Sequence, residues 1–266
     1  MGKRPGTLVV VDVRSGRLLA VRNLDVAARR LALPGSAVKP FVLLAALQSG
    51  AIQANTTLMC HRQLRLAGRE LDCAHEQTAE PLDSVTALAY SCNSFFAQVA
   101  SRMTNSGLQK SLIHAGFARR TGWMTNEAVG SVLLSKNVEQ LQLQALGEAN
   151  LQVTPLELLA AYRGLAARRG QADANESVVF AGLEAAADYG TARLAQPEGL
   201  RIAGKTGTSS ASPDEGNWTH AWFAGYAPVD HPRIAMVVFL ERGHGGGDAA
   251  AAAREVFEAS KHMTAD

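Results

Sequence analysis

Hydrophobic and polar positions change their period along this chain. At the start, "TLVVVDV" (7–13) and "RLLAVR" (17–22) are rich in β-formers and flank "RSG", and the second alternates, so the pattern predicts a strand hairpin. From about 81 to 170 the spacing is helical, in "PLDSVTALAY", "SFFAQVASRM", "LQKSLIHAG", "VEQLQLQALGEA" and "TPLELLAAYRGLAARRG". The last of these carries a start signal: Thr154 as N-cap, Pro155 at the first helical position and Glu157 closing a capping box, with Gly170 as the expected stop. Strand patterns return in "GLRIAGKTGT", "THAWFAGYA" and "RIAMVVFLE", the last two joined by a "PVDHP" turn. An alanine-rich tail, 248–263, reads as a helix.

Five strands divided between the chain ends predict an α/β chain of the α+β type, with one mainly antiparallel, five-stranded sheet built from both ends. Helices flank it and a helical lobe is inserted. The expectation is a single domain over 1–266, with a sheet lobe at about 1–50 and 186–266, a helical lobe at about 51–185 and a cleft between them. One segment stands apart. In "LALPGSAVKPFVLLAALQSG" the positions from Phe41 to Leu47 leave no polar face, which predicts a helix buried on all sides with Gly50 as a stop. Just before it, Ser36 and Lys39 share a face, a hydroxyl and an amine within reach. A Ser hydroxyl needs an activating base, and burial can lower a lysine pKa enough to serve. Pro40 pulls against ideal helical geometry at Lys39, so the pairing is expected to be looser than a regular turn.

The 266 residues are 47% hydrophobic and 19% charged, enough for a substantial core. A net charge of +2 with scattered basic residues argues against nucleic acid or an acidic membrane as partner. No run reaches the roughly eighteen apolar residues of a membrane span, and "MGKRPGTLVVVDV" turns polar at Asp12, too early for a signal-peptide core, so the chain reads as soluble. Cys60, Cys73 and Cys92 leave three readings open. They are free thiols, or Cys60 and Cys73 staple a short polar segment, or Cys60, His61, Cys73 and His75 ligate zinc.

Two further motifs follow Ser36-x-x-Lys39. "YSCNSFF" places Ser91 and Asn93 at a break between helical segments, and "AGKTGTSS" places Lys205, Thr206, Gly207 and Thr208 on a strand. Alone, the first reads as a helix cap and the second as a strand-end turn. Together and in this order they match the S-x-x-K, S-x-N and K-T-G set of serine acyl-transferring enzymes. The sequence resembles the transpeptidase domain of high-molecular-weight penicillin-binding proteins. The likeness extends through "LGEANLQVTPLELLAAYRGLA" and "HAWFAGYAP", from Gly6 to about Phe257.

That resemblance implies a peptidoglycan D,D-transpeptidase that binds β-lactams covalently, with no cofactor and no metal. Ser36 would be the nucleophile, Lys39 its base, Ser91 a proton relay and Lys205 its electrostatic tuner. Asn93 would hold the substrate amide, and Thr206 and Thr208 the terminal carboxylate. The Ser36 and Thr208 N–H groups would form the oxyanion hole, and Gly207 would free the strand edge for substrate. The implied partners are peptidoglycan stem peptides and β-lactam antibiotics, outside the cytoplasm, where a Cys60–Cys73 bridge would fit. The family's membrane anchor and N-terminal modules are missing here, so an excised domain or a minimal relative is expected. Ala37 stands where the family usually carries a bulkier residue, which predicts a looser site. A class D-like β-lactamase, a D,D-carboxypeptidase and a non-catalytic sensor share the scaffold. Against a hydrolase, Glu148 and Glu157 fall in a helix-start segment, where capping accounts for Glu157.

Overall fold

The computed structural model describes residues 4–212 and 214–261. Strands β1 (Gly6–Asp12) and β2 (Leu18–Arg22) form the opening hairpin, followed by α1 (Leu24–Arg29), a 3-10 turn at Gly35–Val38 and α2 (Lys39–Gln48). Short strands β3 (Thr57–Leu58), β4 (Arg65–Leu66), β5 (Arg69–Glu70) and β6 (Leu82–Asp83) lead into α3 (Ser84–Ala89), α4 (Asn93–Ala100) and α5 (Asn105–His114). Then come β7 (Ser131–Val132), α6 (Val138–Ala145), β8 (Leu151–Gln152), α7 (Pro155–Ala167) and α8 (Ala174–Asp188). The chain closes with β9 (Ala203–Ser210), β10 (Thr219–Ala227), β11 (Ile234–Leu240) and α9 (Ala250–Ala259).

The long strands make one antiparallel sheet in the order β2-β1-β11-β10-β9. Strand β1 pairs with β11 from Gly6↔Leu240 to Asp12↔Ile234, so the two chain ends are joined in mid-sheet, as the sequence predicted, and β9 is left at an edge. Both faces are covered, which is why these strands read as near-continuous apolar runs. Val9, Val11, Trp222, Tyr226, Val237 and Phe239 face the larger core, where α7 lies on β11 and β10. Leu8, Val10, Phe223, Met236 and Val238 face a second core that includes Phe257 of α9.

Helix α2 is buried from Lys39 through Leu47. It touches α5, α8 and α4, so its lack of a polar face reflects contacts on every side. The Thr154–Glu157 capping box is present, but α7 ends at Ala167 and a 3-10 turn runs through Gly170. Helix α8 has no counterpart in the periodic reading, although its own capping box, Asp173 with Glu176, was legible. The tail helix begins later than 248, after a π turn at Gly245–Ala249, and Met263 lies outside the described residues.

Candidate active site

The turn carrying Ser36 is wedged between β9 and the loop after α6. Gly35 has φ +52, and a Cβ there would meet the Thr208 carbonyl oxygen at 2.4 Å; its N–H donates to the Gly147 carbonyl at 3.1 Å. A Cβ on Gly207 would lie 2.5 Å from the Pro34 carbonyl oxygen, so this turn by itself requires a glycine there. Neighbouring carbonyls are clamped. Leu33 O accepts from Trp222 Nε1 at 3.0 Å and from Ser209 Oγ at 2.6 Å, and Ala37 O accepts from the buried Tyr162 hydroxyl at 2.8 Å. Ala37 is fully buried, and a Cβ on Gly207 would come within 3.1 Å of its own Cβ, so the small side chain leaves no slack.

Ser36 and Lys39 lie on and just after a 3-10 turn, where positions three apart eclipse. The Lys39 side chain nevertheless reaches to the segment before α4. Its Nζ donates to Ser91 O at 2.7 Å, Ser91 Oγ at 3.2 Å and Asn93 Oδ1 at 2.5 Å, and sits 5.2 Å from the centre of the Phe96 ring. Burial lowers the Lys39 pKa to about 8, against the opposing pull of Cys92, Cys73 and Glu148. Ser91 holds φ +58, a conformation a serine adopts only when its surroundings impose it, and this directs both its oxygens at Lys39. The helix cap at this break is Cys92, whose sulfur accepts from Phe95 N–H, while Asn93 Nδ2 donates to Leu71 O at 2.9 Å.

Lys205 and Thr206 are buried on β9, with Thr208 less so. Lys205 Nζ donates to Thr191 Oγ1 at 3.2 Å and to Thr206 O at 3.1 Å, and Thr206 Oγ1 donates to Thr191 Oγ1 at 3.0 Å. Burial first, and then the nearby Lys39 charge, push the Lys205 pKa well down. Thr208 Oγ1 accepts from Gly245 N–H at 3.0 Å, with His244 Nδ1 at 3.4 Å. Thr191 and His244 were not among the predicted site residues; no motif marks them, and only the fold brings them to β9.

The family described as "Penicillin binding protein transpeptidase domain" matches residues 6–259. The chain belongs to it. Among relatives of this transpeptidase family, peptidoglycan D,D-transpeptidase FtsI of Escherichia coli K12 is 27% identical over 276 residues, covering 88% of this chain and 46% of FtsI. Peptidoglycan D,D-transpeptidase MrdA of Acinetobacter baumannii is 24% identical over 339 residues, covering 96% and 50%. The chain thus spans about half the length of these relatives. The solved structures similar in fold include Pseudomonas aeruginosa PBP2 in complex with WCK 5153, with a TM-score of 0.84 at 21% identity over 99% of this chain and 75% of that one. The D,D-transpeptidase domain of a peptidoglycan glycosyltransferase from Eggerthella lenta also gives 0.84, at 22% identity over 98% and 79%.

Behind the S-x-N segment of this transpeptidase domain lies a cysteine cluster. Cys60 Sγ is 3.6 Å from Cys73 Sγ and 3.6 Å from His75 Nε2, and Cys73 Sγ is 3.7 Å from Cys92 Sγ. All three cysteines are free thiols, and the four ligand atoms lie within 4.8 Å of one another. Three sulfurs and one imidazole are the donor types of a tetrahedral zinc site. The set differs from the one the sequence suggested. His61 is exposed and outside it, and Cys92 takes its place. A hydrogen bond from Cys92 lowers the Cys73 thiol pKa, towards the thiolate form that ligates metal.

Proposed function

We propose that this chain is the catalytic domain of a peptidoglycan D,D-transpeptidase acting outside the cytoplasm through an acyl-enzyme on Ser36, in a cleft between a sheet lobe and a helical lobe. The observation that carries the reading is Lys39: fully buried, poised near pH 8, three residues from Ser36 and bonded to Ser91 and Asn93. Neutral Lys39 takes the Ser36 proton as Oγ attacks the carbonyl of a D-Ala-D-Ala stem peptide or of a β-lactam. Ser91 passes that proton to the leaving nitrogen. The N–H groups of Ser36 and Thr208 stabilise the oxyanion, an arrangement consistent with the contact between Gly35 and the Thr208 backbone. Asn93 orients the substrate amide. Thr206 and Thr208, beside Lys205, hold the terminal carboxylate. An amine then takes the acyl group and forms the cross-link.

Among the described residues no helix is long and apolar enough to cross a membrane. A fluorescent penicillin should label the folded protein, and Ser36→Ala should abolish labelling while circular dichroism stays unchanged. Intact-mass spectrometry should show one penicillin per chain persisting for many minutes, with or without bicarbonate. Labelling of the Ser36→Ala variant would overturn the assignment, and rapid turnover enhanced by bicarbonate would make the chain a β-lactamase with a carboxylated Lys39.

A further inference from the structure

Strands β1 and β10 end, and β11 begins, at one level of the sheet, where Asp12 and Ala227 both pair with Ile234. Thr208 is level with Ala221 and Leu240, so this is the far end of the sheet from the turn carrying Ser36. The β1–β2 turn, the last turns of α7 and the β10–β11 turn meet here around a cavity of about 780 Å³. They bring Arg14, Arg17, Arg163 and Arg233 to its walls, with Asp12 and Asp230. Four guanidiniums against two carboxylates leave two positive charges in surplus, as many as the formal net charge of the whole chain, +2. Basic residues that are scattered along the sequence are thus gathered by the fold. Arg163 is the least satisfied of them. Its guanidinium lies over Gly16, φ +73, where a Cβ would sit 3.0 Å from Cζ. Its Nη2 donates to Arg14 O at 3.1 Å, while its Nε is buried with no hydrogen-bond partner among the described residues, a costly arrangement for a charged group. Asp12 is held by Ser15 instead, whose Oγ and N–H each donate to Oδ1 at 2.6 Å. These bonds, and then the Arg17 and Arg163 charges, keep the Asp12 carboxyl below its ordinary pKa.

We infer that this cavity is a second binding site, remote from Ser36, and that it takes a phosphate-bearing ligand, a phosphate monoester or a diphosphate. A phosphate monoester carries close to two negative charges near pH 7 and three terminal oxygens, whereas a carboxylate carries one charge and two oxygens. The surplus of two matches the first. Guanidiniums that arrive from three separate segments also suit a tetrahedral group, which accepts from three directions, better than a planar one. Arg163 gives up its one bond, to Arg14 O, and turns a two-pronged fork on the phosphate, which ends the isolation of its Nε. Arg14 and Arg17, both exposed on the β1–β2 turn, close from the other side. Val13, Leu19, Ala166 and Pro232 line the same cavity and fit the organic part of an ester. The C-terminal carbonyls of α7 oppose an anion here, so the arginines and not the helix carry the binding. None of the acylation steps draws on this site.

The test titrates inorganic pyrophosphate into the whole chain by calorimetry at physiological ionic strength, with succinate, a dicarboxylate, as the comparison. Pyrophosphate should bind once per chain, saturably, and about tenfold or more tightly than succinate. Arg163→Ala and Arg17→Ala should each weaken it about tenfold, the scale of one charge-assisted contact, and Arg163→Lys should restore only part, because an ammonium has no fork. Arg65→Ala removes an exposed arginine that pairs with Glu70 outside the cavity and should change nothing. Melting curves check that each variant folds. Vesicles of phosphatidylcholine with and without phosphatidic acid separate the sources of the phosphate. Sedimentation with the phosphatidic acid vesicles alone, reversed by pyrophosphate, assigns it to a lipid headgroup, and pyrophosphate binding without sedimentation assigns it to a soluble ester. A wild-type protein that does not bind pyrophosphate saturably, or that binds succinate as tightly, overturns the site. So do folded Arg163→Ala and Arg17→Ala variants that keep the wild-type affinity, or an equal loss in Arg65→Ala.

Discussion

Lys39 is the residue in which sequence pattern, burial and chemistry meet. Because its pKa is drawn down to about 8, roughly one molecule in ten carries the neutral base at pH 7, against about one in three thousand at the ordinary value. Acylation by penicillin should therefore rise about tenfold per pH unit below pH 8 and level off above it, followed by labelling rates from pH 6 to 9; a flat profile would remove Lys39 as the base. The same shift acts on stability. Between about pH 8 and 10.5 the unfolded chain binds a proton that the folded chain has released, so this group makes stability rise with pH across that window. Tyr162 holds the turn carrying Ser36 from behind through Ala37 O. Tyr162→Phe leaves that carbonyl without its donor and should cost about 1–3 kcal/mol, together with a slower acylation. An unchanged melting temperature and rate would show that the contact is idle.

Among the elements, α2, α4 and β9 carry the candidate site, and α2 and α4 were legible for different reasons. The unbroken apolar run made α2 recognisable, and the S-x-N spacing marked the break before α4. Helix α8 escaped because its helical period lies between polar and alanine-rich flanks, and the two-residue strands are too short to show any period. Whether three scattered cysteines meet could not be read from spacing. The structure packs Cys60, Cys73 and His75 under Cys92, the cap of α4, so this element should respond to metal. Zinc added to the reduced protein should bind once per chain by native mass spectrometry and slow thiol titration. Cys73→Ser should abolish binding and lower the melting temperature of the zinc-treated protein. Thiols that titrate equally fast with and without zinc would contradict the site.

At the scale of the molecule, Arg30, just past α1, ties the N-terminal segment to the C-terminal strands through Glu215 and Glu241. Burial pushes the Glu215 carboxyl up, but the Ser212 backbone and hydroxyl bonds and the Arg30 charge outweigh it and hold it at about 2. Its contribution is thus complete above the usual carboxylate range near 4.5 and is lost as pH falls towards 2. Glu215→Gln should lower stability at pH 7 by roughly 1 kcal/mol, since the pair is partly exposed. It should also flatten acid unfolding between pH 4.5 and 2; an identical acid transition would show that the pair contributes nothing. Periodicity was enough to give the five strands, the buried helix and the Thr154 cap, because each is a local preference or a spacing along one element. Only the tertiary structure decided that Lys39 turns to Ser91 and Asn93, that Thr191 and His244 join β9, that Cys92 rather than His61 completes the cysteine cluster, and that Glu148 faces Arg69. Each of these meetings joins residues far apart in the chain, and their distances are set by how helices pack on a sheet, which no local period records.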